Sequence, residues 1–199
     1  MIRLLSAMCV FACTCVAFAT TIPKVPLAEL FQKADVVALV QVTEGRTLGT
    51  GEETCGASYE AIVVAGLKGA NVGSTIKFGH NFGFEVGTQY ILFLVKPDRP
   101  FDPKMSMNSE MERMRGHLNA RCSSQWPDLT VMHSGNGALP VSFSAQFNYK
   151  DSVRVASRFV GIPPGVEVKA AMPSDIEEFS GVVWVRLDDM LKLLQQFAK

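Results

Sequence analysis

Ala34-Asp35-Val36-Val37-Ala38-Leu39-Val40-Gln41-Val42 reads as a strand with two apolar faces. Val36, Ala38, Val40 and Val42 alternate with Val37, Leu39, Gln41 and Thr43, so one face stays apolar while the other turns polar towards its end. Two further stretches follow. Ser58–Leu67 (SYEAIVVAGL) and Ser74–Phe78 (STIKF) are strand-like, and Gly69-Ala70-Asn71-Val72-Gly73 supplies the turn between them. Gly83 to Gly87 makes another turn before Gln89–Val95 (QYILFLV), a run rich in β-branched and aromatic residues. Together these segments predict a small closed β-barrel. The first strand is expected over Asp35–Thr43, and Glu44–Ala57, rich in Gly and Thr and carrying Cys55, is expected to be a loop.

Outward from this segment the pattern changes. Leu27, Leu30, Phe31 and Ala34 fall at i, i+3, i+4 and i+7 and predict a short helix, with Pro26 suited to its first turn. Residues 97–120 depart from the barrel pattern. Met105, Met107, Met111 and Met114 stand among polar residues, Ser109-Glu110-Met111-Glu112 matches a capping box, and Gly116 is a stop signal. This reads as a short helix on an excursion from the barrel. Its methionines are candidate partner contacts, although methionine more often simply fills gaps in packing. Val131–His133 and Leu139–Phe143 flank Ser134-Gly135-Asn136-Gly137, where Asn-Gly predicts a hairpin. Val153–Val160 and Gly181–Arg186 read as strands. A final helix presents Leu187, Met190, Leu191 and Leu194 on one face, with Asp188 as its expected cap.

The first 19 residues read as an export signal: Arg3, an apolar stretch from Leu4 to about Val16, and Ala17-Phe18-Ala19 as the small-x-small cleavage pattern. The stretch is shorter than the roughly 20 residues a membrane span needs. Val10-Phe11-Ala12-Cys13 also resembles a lipoprotein signal, but Phe11 fits it poorly, so a lipid anchor at Cys13 is disfavoured. Cleavage after Ala19 leaves a chain starting at Thr20, expected to be periplasmic or extracellular. The remaining 180 residues (199 − 19) suffice for a sizeable core. The signal takes Arg3 with it, so 18 basic groups face 19 acidic ones (19 − 1 against 19), and nothing in that balance points to nucleic acid or an anionic membrane. Of the five cysteines, Cys9, Cys13 and Cys15 lie in the signal. Cys55 and Cys122 are then expected to form one disulfide, worth about 4 kcal/mol in the chain-entropy account. Two buried free thiols are the alternative; a catalytic Cys122 beside His117 is disfavoured, because a lone exported thiol oxidises.

Sites of chemistry are sparse. His80, His117 and His133 stand at spacings that match no metal signature. There is no Gly-x-Ser-x-Gly elbow, and the adjacent acidic pairs Glu52-Glu53, Glu177-Glu178 and Asp188-Asp189 are not opposed carboxylates in a cleft. Gly66–Thr75 superficially matches a phosphate loop but lacks a Lys before the Ser and a following helix, so a hairpin turn is expected. No cofactor is expected.

Ala34–Val42 resembles the "AD-x-V-hydrophobic" first strand of netrin-like domains, the family that includes the tissue inhibitors of metalloproteinases and similar exported bacterial proteins. Tyr59–Val64 followed by Leu67-Lys68-Gly69 resembles its second strand and "KG" turn, and Phe84–Phe93 its "F-x-x-G-x-x-Y" strand. The resemblance covers about Leu27–Val95 and, more loosely, the chain as far as Cys122. It implies a mainly β fold with flanking helices (α+β): a five-stranded closed barrel of the oligonucleotide/oligosaccharide-binding (OB) type over residues 20–122. Residues 123–199 are then a C-terminal extension ending in a helix and packed on the same domain. In the inhibitors a mature N-terminal cysteine chelates the protease zinc; Thr20 stands first here, so that mode does not carry over. The reading is therefore an exported, non-enzymatic binding or structural module whose partner is another exported protein. The alternatives are a protease inhibitor acting through a loop and a metal-dependent hydrolase using His80, His117 or His133.

Overall fold

The computed structural model describes residues 24–50, 53–79, 83–96, 123–170 and 181–199. The expected export signal, His80, Met105–Met114, His117 and Cys122 lie outside the described residues. Strand β1 (Val25–Pro26) leads into helix α1 (Leu27–Lys33), in which Leu27, Leu30 and Phe31 are buried, as their spacing requires. Glu29 and Lys33 pair across one helical turn at 2.6 Å.

Five strands then close a barrel. They are β2 (Val36–Thr50), β3 (Glu53–Lys68), β4 (Thr75–Gly79), β5 (Gln89–Val95) and β6 (Thr130–Val131). The pairings β5–β2–β3–β4–β6–β5 complete the ring. All are antiparallel except β4–β6, so the barrel is mixed. Closure is narrow: Gly79 aligns with Thr130 on one side, and Leu94 and Val95 align with Val131 and Thr130 on the other. A side chain at Gly79 would collide with the carbonyl of Ala57, so glycine is what lets the strands meet there. Register shifts along β2–β3, at Val37/Ala38, Leu39/Val40 and Val42/Glu44, mark the bulges that bend this ribbon around the barrel. The chain is thus a mainly β protein with a five-stranded OB-like closed barrel and helices at its flank.

Four more strands extend the sheet beyond β5 as a wing. They are β7 (Ala138–Ser144), β8 (Tyr149–Ala156), the short β10 (Lys169–Ala170) and β11 (Val182–Arg186), and their order runs outward β7–β8–β11–β10. A further short strand, β9 (Val160–Gly161), pairs in parallel with β1 and ties the start of the domain to the wing. Helix α2 (Leu187–Phe197) ends the chain and buries Met190 and Leu194.

The double apolar character of β2 and β5 has a direct structural cause: each strand is a wall between two cores. Val36, Ala38, Val40, Val42, Leu92 and Leu94 point into the barrel, where they meet Ala57, Tyr59, Ala61, Val63, Phe78, Tyr90 and Val131. Val37, Leu39, Ile91 and Phe93 point the other way, into a second core. Leu139, Val141, Val153, Val155, Val183 and Val185 of the wing fill that core together with α1 and α2. The helices meet there as well, with Phe31 and Phe197 edge to face at 5.8 Å.

Four local expectations are corrected. Glu44–Ala57 is not a loop: β2 and β3 run on as a two-stranded ribbon to the pair Thr50–Glu53. Backbone pairing sustains this ribbon with little core beneath it. Among the described residues, Leu48 and Cys55 form its small cluster, against Trp126, and no apolar alternation advertises the strands. Ser134–Gly137 does not make a hairpin either. β6 and β7 both align with the same edge of β5, one after the other, and Asn136 is right-handed helical (φ −70°) rather than positive as a two-residue Asn-Gly turn demands. The hairpin in this region is β7–β8, turned by Ala145–Asn148 with Asn148 at φ 54°. Val153–Val160 is not one strand, because a turn at Ser157–Phe159 separates β8 from β9. Finally, the N-cap of α2 falls two positions earlier than expected. Arg186 stands at the N-cap without a side-chain cap, and Asp189 bonds Arg186 Nε at 2.7 Å, so Asp188 caps nothing.

Candidate functional site

The residues behind the family resemblance converge on one corner of the barrel. Lys68 Nζ donates to the carbonyls of Phe31 (3.1 Å) and Gln32 (2.8 Å) at the C-terminal end of α1, where a cation complements exposed carbonyls. Gly69, at φ 64°, packs so closely on the carbonyl of Asp35 that a Cβ would overlap it. The Asp35 carboxylate in turn accepts from the Lys96 N–H at 2.7 Å, just past the end of β5. These residues hold α1, β2, β3 and β5 together; none of them lines the clefts described below. Gly66–Thr75 is the β3–β4 connection, as expected, with the Ser74 hydroxyl bonded to the Asn71 carbonyl at 2.6 Å.

Among the described residues the barrel interior is filled by side chains. Its lining side chains are buried against one another, and the ring of Phe84 caps a four-ring aromatic cluster. Phe84 lies 5.0 Å from Tyr59, 5.0 Å from Phe78 and 5.1 Å from Tyr90, each edge to face. A cleft of about 560 Å³ opens where the barrel meets the wing. Its roof is the segment Gly83–Thr88 and its floor is β5, β7 and β8.

Both walls are held in place. In the roof, Gly87 N–H donates to the Val42 carbonyl (2.8 Å), Val42 N–H donates to Thr88 (3.1 Å), and Glu85 N–H donates to the Tyr90 hydroxyl (3.1 Å). Gly87 takes φ 87°, which is why the turn needs glycine there. The floor is regular sheet. Tyr90 aligns with Pro140, and one position on from the Val141–Val153 pair stands Arg154, which aligns with Trp184. Val153 and Val155 face the helix-side core, so alternation turns Arg154 to the opposite face, into the cleft. The lining combines aromatic and apolar surface (Phe84, Tyr90, Pro140) with Thr88, Ser142, Glu85 and Arg154.

Two smaller clefts, about 370 and 280 Å³, share Arg186. That guanidinium is already engaged by Asp189 (2.7 Å) and Glu167 (3.8 Å), and Glu167 also binds Lys169 at 2.8 Å. The hydrogen bond and charge of Lys169 hold the Glu167 carboxyl below its ordinary range; Glu167 raises Lys169, and Asp189 raises Arg186. These are mutually satisfied surface ions.

Of the cysteine, histidine and methionine candidates, two fall where they can be described. Cys55 is buried in the ribbon, engaged in a disulfide, and its carbonyl accepts from the Trp126 indole at 2.8 Å. His133 sits in the turn after β6 at φ 53°, its ring edge to face with Phe159 at 6.5 Å and its Nε2 buried without a hydrogen-bond partner. Among the described residues no group of three or more His, Cys, Asp and Glu is placed to hold a metal ion, and no helix is long and apolar enough to cross a membrane. The cleft residues went unrecognised in the sequence. The available signal was Arg154 itself, a cation set between the buried Val153 and Val155.

A scan against protein-family models finds no match for this chain, and comparisons with curated proteins and with solved structures find none either.

Proposed function

We infer that this protein is an exported, non-enzymatic binding module on a netrin-like barrel, closed in its ribbon by a Cys55–Cys122 disulfide. The supporting observation is the division of labour in the fold. Among the described residues the barrel's lining side chains are buried against one another and against Phe84, while a cleft of about 560 Å³ lies outside them between regular strands and a hydrogen-bonded turn. Rigid scaffolds that present a preformed cleft of this size are suited to recognition. The motif residues Asp35, Lys68 and Gly69 build the corner of the scaffold, which agrees with a resemblance that carries architecture rather than the chelating activity of the inhibitors. Its partner is another exported protein, engaged through the cleft side of the barrel or through Met105–Leu118.

The test is affinity capture with cross-linking from periplasmic or secreted extract, using wild-type protein and a variant lacking Met105–Leu118. A specific partner whose recovery depends on that segment or on the cleft supports the reading. Capture of nothing above background by either form refutes it.

A further inference from the structure

We propose that the cleft between Gly83–Thr88 and β7–β8 is a site for a small molecule with one carboxylate and a flat apolar body. This names a ligand for the binding module proposed above and rests on that reading. The first argument is charge. On the wing face opposite the helices, Arg154 and Lys169 both align with Trp184, and Arg186 lies two residues further along β11. Lys169 and Arg186 are neutralised by Glu167 and Asp189. Arg154 has no ion pair and no hydrogen bond among the described residues, and it is the cation that lines the cleft. A guanidinium presents a planar fork that matches a carboxylate with two parallel hydrogen bonds.

The second argument is shape and surface. Next to Arg154 the floor is the ring of Pro140 and then Tyr90, aligned across adjacent strands, with Phe84 above them. Apolar rings beside a single unpaired cation suit a flat organic anion better than a hydrated inorganic ion. Ser142 adds a hydroxyl that can orient it, while the Thr88 hydroxyl donates to Glu85 Oε2 at 3.5 Å. The third argument is exclusion. Glu85 lines the roof of the same cleft, so a second negative charge on the ligand meets repulsion, and a polyanion is rejected.

Phenylacetate, phenylacetamide and phenyl phosphate are the probes, titrated into isotope-labelled purified protein and followed by amide chemical shifts. Phenylacetate is expected to move the amides of Thr88, Ser142 and Arg154 with a Kd on the order of millimolar, as befits so small a ligand. Phenylacetamide and phenyl phosphate should bind about fivefold more weakly. Arg154→Gln should weaken phenylacetate about five- to tenfold, and Glu85→Gln should tighten it about twofold. Arg154 is exposed, so the variant is expected to melt like wild type. Equal binding of the neutral amide, tighter binding of the phosphate, unchanged affinity in Arg154→Gln, or cleft amides unmoved by phenylacetate at roughly ten times the expected Kd would each overturn the proposal. Such a failure leaves the partner capture experiment untouched, and a missing partner leaves the titration untouched.

Discussion

Replacing Ile91 with alanine tests whether barrel and wing are one cooperative unit. Ile91 and its neighbour Leu92 are both fully buried, but they point to different cores: Ile91 to the helix side and Leu92 into the barrel. Either substitution deletes three carbons, about 2.4 kcal/mol of transfer free energy at ~0.8 kcal/mol each. An incompletely collapsed cavity adds up to about 2 kcal/mol, so each variant should lose about 2.4–4.4 kcal/mol. With a urea dependence of about 2 kcal/mol per molar, the midpoint falls by about 1–2 M. The chain carries two tryptophans, and they report on different regions. Trp126 packs on the ribbon beside Leu48 and Cys55, and Trp184 lies in β11 of the wing. Single-tryptophan versions, Trp126→Phe and Trp184→Phe, therefore give separate fluorescence transitions. Because β5 is the shared wall, Ile91→Ala should shift both transitions by the same amount, and Leu92→Ala should do likewise. If Ile91→Ala moves only the Trp184 transition, barrel and wing unfold independently and the shared-wall argument fails.

Three further outcomes are expected. Gly69→Ala should cost about 2–4 kcal/mol, from the positive φ and the overlap with the Asp35 carbonyl, whereas Gly73→Ala, at φ 80° but in open space, should cost only about 1 kcal/mol; equal losses by thermal unfolding would contradict the close approach. Replacing Cys55 with serine should destabilise the protein by about 2–4 kcal/mol under oxidising conditions and by much less with reductant present, and peptide mapping without reduction should recover Cys55 joined to Cys122. Glu167→Gln should be less stable than wild type at neutral pH, where the lowered carboxyl is ionised. Because the folded-state pKa lies below the unfolded one, that advantage is present above the unfolded value and is lost as pH falls through the folded value. Molar salt should erase the same difference, and a gap that persists in acid and in salt would show that the ion pair is not its source.

Much of the barrel was legible because its strands carry their burial in local pattern. Val36–Val42 and Tyr90–Leu94 are apolar at every or nearly every position, and such a run cannot sit at a half-exposed surface. The stripe of Leu27, Leu30 and Phe31 and that of Met190 and Leu194 announced the two helices for the same reason. The outer ribbon was not legible. From Glu44 to Ala57 the strands are held by each other's backbone, and backbone pairing leaves no mark on side-chain periodicity. The Asn136-Gly137 signal misled because a turn preference is weak beside the ladder that β5 offers to both β6 and β7. Asp188 misled because the helix starts at the end of β11, where Arg186 turns its own side chain towards Asp189.

The candidate site shows the same limit. Tyr90, Pro140 and Arg154 each obey a strand's alternation, so the sequence by itself determined which face each occupies. It also determined that β2 and β5 need apolar cover on both sides. Only the tertiary structure decided what that cover is and where a cleft is left between its pieces. Closure rests on Gly79 meeting Thr130, 51 positions away, and the cleft on a turn before β5 lying over residues of β7 and β8. Contacts across such separations depend on how the whole sheet curls, a property shared by all its strands and written in no one of them.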